Sequence, residues 1–110
     1  LTSETQNDFG MFLMDEVAGV RVEHPTDLYT LDFFVEPNVA IELNGPQHYV
    51  EYTDGTQELI GLTQLKTRII EEYFKMKVIN VSSMHWAELN SNAKAEYIHQ
   101  IQSQILKSKQ

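Results

Sequence analysis

Apolar positions along the 110-residue chain change period several times, and each change marks an element. Over residues 3–17, Phe9, Phe12, Leu13 and Glu16 fall at helical spacing behind a cap at Ser3, which predicts a helix ended by Gly19. Residues 20–23 alternate apolar with polar as a short half-buried strand does, and His24-Pro25 breaks the pattern. Two runs of β-formers, 31–35 and 39–43, flank Glu36-Pro37-Asn38, a spacing that suits a tight hairpin. A polar loop of about a dozen residues follows Asn44-Gly45-Pro46. From Gly61 the helical period returns, with Leu62, Leu65, Ile69, Ile70 and Tyr73 in one apolar stripe. Residues 77–82 read as a strand, 84–89 as a short helical turn bearing Trp86, and 93–107 as a helix with Tyr97, Ile98, Ile101 and Ile105 on one face. The predicted order is α-β-β-β-α-β-α-α, an α/β fold with a mixed sheet flanked by helices.

The hairpin makes one chemical feature legible. Pairing Val35 with Val39 puts Phe34 opposite Ala40, Phe33 opposite Ile41, and Asp32 opposite Glu42. Two facing carboxylates repel and need solvent, a shared proton or a cation. Acids on adjacent strands hold Mg²⁺ in many sites, and such an ion activates water for phosphodiester cleavage. The plain alternative is a pair on a solvated sheet face.

Lys66 falls within the apolar stripe of the second helix rather than opposite it. Either its stem covers apolar surface while the ammonium reaches water, or it crosses to Asp32 and Glu42 and compensates their charge. Arg68 lies on the outer face with Gln64 and Glu71. Gly45-Pro46-Gln47-His48-Tyr49 turns His48 back toward the same end of the sheet, where a histidine serves as general base, phosphate donor or metal ligand, or merely caps a loop. His24, His85 and His99 have no such placement, and Trp86, Tyr97, Phe9 and Phe12 read as core. The chain carries no Gly-rich phosphate loop, HExxH element or nucleophile elbow.

Composition narrows the function classes. A chain of this length fits a single domain, residues 1–110, which has to commit most of its 42% apolar residues to one core. The absence of cysteine removes disulfides, thiolate zinc sites and cysteine nucleophiles, and no long apolar run suggests a membrane partner. The net charge of −8 argues against a free-standing basic nucleic-acid binder. That charge is uneven: residues 1–60 hold 12 acids and one base, whereas residues 61–110 hold seven bases and four acids. Only the second half, with Lys66, Arg68, Lys75 and Lys77, favours phosphate.

Leu31-Asp32-Phe33-Phe34, then Ala40-Ile41-Glu42-Leu43-Asn44-Gly45-Pro46-Gln47-His48-Tyr49, residues 62–68, and residues 78–81 leading into Trp86 together resemble the RAP domain. The resemblance covers roughly residues 30–90 and rests on Ile-Glu-x-x-Gly-Pro-x-His combined with Leu65-Lys66-x-Arg68. Through that family the chain is similar to very short patch repair endonucleases and to the PD-(D/E)XK superfamily. The resemblance implies a restriction-endonuclease-like α-β-β-β-α-β core with extra C-terminal helices, in a C-terminal piece of a larger protein. It implies Asp32 and Glu42 at the acidic, metal-binding positions, with His48 and Lys66 completing a catalytic set. It also implies RNA contacts by Lys66, Arg68, Lys75, Lys77, Gln47 and His48. The sequence departs from the nuclease pattern at Asn44, which offers an oxygen without charge where relatives carry an acid. The leading expectation is a module that binds organellar mRNA or rRNA in processing, stability or ribosome assembly, in the matrix of a mitochondrion or other organelle. Helical repeats of the parent chain or other proteins would assist, and no cofactor is expected. The alternatives are a ribonuclease dependent on Mg²⁺ or Mn²⁺ and a non-catalytic scaffold in an organellar ribosome complex.

Overall fold

In the computed structural model, which describes residues 3–108 without the side chain of Ser3, the chain leaves α1 (Ser3–Glu16) through Gly19 at φ +75°, a conformation that favours glycine. The cap expected at Ser3 therefore lies outside the described residues. Beyond Gly19, β1 (Val20–Pro25) runs antiparallel to β2 (Thr30–Val35), and β2 runs antiparallel to β3 (Val39–Asn44). After a 3-10 turn at Pro46–His48, β4 (Tyr49–Glu51) and β5 (Gln57–Leu59) form a separate two-stranded ribbon. Helix α2 (Gly61–Glu72) then crosses over the sheet, and β6 (Lys77–Ser82) returns parallel to β3. Short α3 (Ser83–Glu88) and long α4 (Ser91–Ser108) follow. The main sheet has the order β1-β2-β3-β6, so the fold is the expected mixed α/β arrangement.

Alternation along the strands separates two apolar layers. Phe33, Ile41, Leu43 and Val81 pack with Phe9 and Leu13 of α1, Trp86 of α3, and Ile98, Ile101 and Ile105 of α4. Phe34 and Ala40 pack with Leu31 and with Ile70 of α2. The larger layer is closed by polar contacts at its edge: Trp86 Nε1 donates to Asp8 Oδ2 at 2.9 Å, and Lys94 Nζ reaches the same oxygen at 2.7 Å. One carboxylate thus ties α1 to α3 and α4, and the Lys94 contact holds its pKa below the ordinary carboxylate value.

Three expectations change. The first strand continues through His24 and Pro25, which pair with Leu31 and Thr30. It lies at the sheet edge, where a proline need supply no second ladder bond. The dozen-residue loop contains the β4–β5 ribbon, whose short strands are mostly exposed on both faces and carry no apolar alternation to reveal them. Most consequential, α2 is turned about its axis by roughly a quarter turn from the expected phase. Of the expected stripe, Ile70 is buried but Leu62, Leu65 and Tyr73 are exposed, while Thr63, Lys66, Thr67 and Ile70 form the face toward the sheet. The turn follows from polar demand: β3 and β6 present Glu42 and Asn80, and the helix answers with Lys66 and Thr67.

Candidate nucleic-acid interface

The paired rungs of β2 and β3 end at Phe33 opposite Ile41, one residue short of Asp32 and Glu42. There the side chains take over from the backbone ladder. The Asp32 N–H donates to Glu42 Oε2 at 2.8 Å, and the Leu43 N–H donates to Asp32 Oδ2 at 2.9 Å. Each carboxylate thereby satisfies an amide of the opposing strand, which explains how two acids persist side by side with Glu42 buried.

Lys66 completes the arrangement from α2. Its Nζ lies 2.7 Å from Glu42 Oε1, a buried oxygen with no other polar partner, and 5.3 Å from the centroid of the Tyr29 ring. The lysine therefore points inward and serves as counter-ion and cation–π partner together. Burial and then the Glu42 charge push the Asp32 carboxyl up to about 6, partly offset by the Leu43 amide and by Lys66. Below about pH 6 a proton on Asp32 leaves the cluster neutral, with Glu42 and Lys66 as its ion pair, and above it two carboxylates share one ammonium.

These residues do not fit a divalent ion as they stand. Both Glu42 oxygens face Lys66 or the Asp32 amide, and Asp32 Oδ2 is held by Leu43. Asn44 is also committed: its Nδ2 donates to Asn80 Oδ1 at 2.8 Å, and Asn80 Nδ2 donates to Thr67 Oγ1 at 3.1 Å. Among the described residues no three acids or histidines gather at one point. Oxygen coordination of Mg²⁺ would require Lys66 to leave Glu42.

His48 is placed by the 3-10 turn. Its N–H donates to the Gly45 carbonyl at 3.1 Å, its own carbonyl accepts from Ile60 N–H at 2.9 Å, and ring Nδ1 lies 2.9 Å from Thr63 Oγ1. Thr63 precedes Lys66 by one turn on the same helix face, so His48 joins the acid cluster through α2 rather than by direct contact. Gln47, His48 and Lys66 line an open cavity of about 430 Å³, together with Tyr29, Ile60, Leu62, Thr63 and Leu65.

The structure does not bring every expected residue to this cavity. Arg68 is exposed on the outer side of α2. Lys75 is exposed beyond the helix at φ +58°, and Lys77 opens β6 opposite Val39, at the other end of β3 from Asn44. Conversely, Tyr29 and Thr63 belong to the cavity without having been marked by sequence. Thr63 was recoverable, because it sits three residues before Lys66 on any helix that turns Lys66 inward. Tyr29, in the turn before β2, carries no periodic signal.

The stretch from the strand that carries Glu42, through the 3-10 turn and α2, to the middle of α4 is also where a known family is found. The family model for the RAP domain matches residues 41–101. Asp32 lies outside the matched span, while Glu42, Gln47, His48 and Lys66 lie inside it. With more than half of its length so matched, the chain belongs to the RAP domain family, which is generally linked to RNA binding.

Proposed function

We propose that this chain is a non-catalytic RNA-binding module that acts on organellar mRNA or rRNA in processing, stability or ribosome assembly. The observation that carries the reading is the meeting of Gln47, His48 and Lys66 at one open cavity inside the family-matched span. The acid pair beside it is read as a nuclease-type site in which Lys66 pairs with Glu42 where a metal would bind, which favours binding over cleavage. The net charge of −8 gives the domain few phosphates to neutralise, so a helical-repeat region of the parent chain or a protein partner supplies additional affinity.

Fluorescence anisotropy with single-stranded RNA across a salt series tests this. Weak binding at physiological salt with a shallow salt slope, reduced by Gln47→Ala and by His48→Ala, is the expected result. Failure to bind at any salt, or binding indifferent to both substitutions, refutes it.

A further inference from the structure

We infer that the cavity between Tyr29, His48 and the first turns of α2 accepts a single unstacked nucleobase of single-stranded RNA. This inference rests on the RNA-binding reading and names what that site holds. Its starting point is the rotation of α2. By turning Thr63, Lys66 and Thr67 to the sheet, the helix leaves Leu62 78% and Leu65 50% exposed. These leucines are not scattered surface residues, since both line the same cavity as Ile60 and the Tyr29 ring.

The walls are held before any ligand arrives. The Tyr29 N–H donates to Thr26 Oγ1 at 2.9 Å, and the Tyr29 carbonyl accepts from Thr26 Oγ1 at 2.6 Å and from Thr26 N–H at 2.8 Å. The His48 ring is held by Thr63, whose Oγ1 lies 2.9 Å from its Nδ1. An aromatic ring, aliphatic surface and an amide able to donate and accept, Gln47, are what a flat heterocycle with polar edges requires. The volume of about 430 Å³ suits a small ligand rather than a helical duplex.

Charge decides which part of a nucleotide enters. Asp32 and Glu42 stand behind Lys66, whose ammonium is already engaged by Glu42 and the Tyr29 face. A phosphate directed inward would meet two acids with one committed cation, whereas an uncharged base meets no such penalty. Stacking is also insensitive to salt, so it supplies affinity that an acidic domain does not obtain from counterion release.

The test compares hexauridylate with an abasic hexamer of equal phosphate number, each titrated into the chain and followed by anisotropy and amide NMR shifts. Variants Tyr29→Ala, Tyr29→Phe and Leu62→Asp are run in parallel, with circular dichroism to verify folding. Hexauridylate should bind about tenfold more tightly than the abasic oligomer, Tyr29→Ala should lose about tenfold, and Tyr29→Phe should keep most of the affinity. Equal affinity for the two oligomers overturns the base pocket and leaves the RNA reading standing. No binding of either overturns both. Undiminished uridylate binding by folded Tyr29→Ala and Leu62→Asp overturns the pocket and assigns its apolar rim to a protein helix instead.

Discussion

Lys66 and Glu42 form an unequal pair: Nζ and Oε1 stand 2.7 Å apart, but the lysine side chain is 35% exposed and the glutamate 5%. Water thus reaches one partner and hardly reaches the other. Losing the lysine strands a buried carboxylate, whereas losing the glutamate charge leaves an ammonium that can still hydrate.

Lys66→Met is therefore expected to cost about 3 kcal/mol and Glu42→Gln clearly less. In the double variant the methionine substitution should become far milder, since no buried charge remains to be stranded. Urea denaturation of the four proteins measures the cycle. An equal cost of Lys66→Met in both backgrounds would show that the pair is only a surface contact.

The Asp32 carboxyl, pushed up to about 6 mainly by burial and by Glu42, binds its proton more tightly in the folded chain than in the unfolded one. Its contribution to stability is complete below the ordinary carboxylate pKa near 3.8 and is lost as pH rises through about 6. Asp8 acts in the opposite sense, because Lys94 holds its pKa low, so the pH profile of the native chain alone is ambiguous. The difference between Asp32→Asn and the native chain isolates the effect. Asparagine keeps an acceptor for Leu43 and adds a donor toward Glu42, so the variant should gain on the order of 1 kcal/mol relative to the native chain between about pH 4 and 7.5. Melting temperatures that differ by a constant across that range would contradict the assignment.

Much of this cluster was readable in the chain because antiparallel register is integral: once Val35 pairs with Val39, the partners Phe34–Ala40 and Phe33–Ile41 follow, and the acids come next. Lys66 was placed inward by counting residues around a helix. The same count misplaced Leu62, Leu65 and Tyr73, because an apolar stripe assumes that burial of carbon sets helix rotation. Here Thr63, Lys66 and Thr67 answer polar groups on His48, Glu42 and Asn80, and those partners are distant in sequence. The β4–β5 ribbon and the Tyr29 wall escaped for a similar reason, since neither is fixed by a local pattern.

Asn44 offers a separate test of how β3, β6 and α2 are joined. Its amide donates to Asn80, which donates in turn to Thr67, and Asn44 is buried. Asn44→Asp removes the donor and adds a charge on the strand face that already holds Glu42, so a loss of about 2–3 kcal/mol is expected. Asn44→Ala should cost less, about 1–2 kcal/mol, because it leaves only Asn80 Oδ1 short of a partner. A milder effect of the aspartate than of the alanine, measured by thermal denaturation at neutral pH, would argue that the acid finds a cation there.

The last expectation concerns cleavage. A working two-acid site must expose carboxylate oxygens to a metal, and here the oxygens of Glu42 face Lys66 and the Asp32 amide while Asp32 Oδ2 holds Leu43. Displacing Lys66 would also strand its ammonium beside the ion, which like-charge repulsion opposes. Purified chain incubated with single-stranded RNA and Mg²⁺ or Mn²⁺ is thus expected to leave the RNA intact, and millimolar Mg²⁺ to leave its melting temperature unchanged. Cleavage that disappears in both Asp32→Asn and Glu42→Gln, with their folds preserved, would establish a metal-dependent ribonuclease in place of the binding module. Cleavage that persists in both would have to come from another site or a contaminant. Lys66→Met adds a final discrimination: if the lysine only neutralises Glu42, its removal frees Oε1 and should raise Mg²⁺ affinity, seen as metal-dependent recovery of the lost stability.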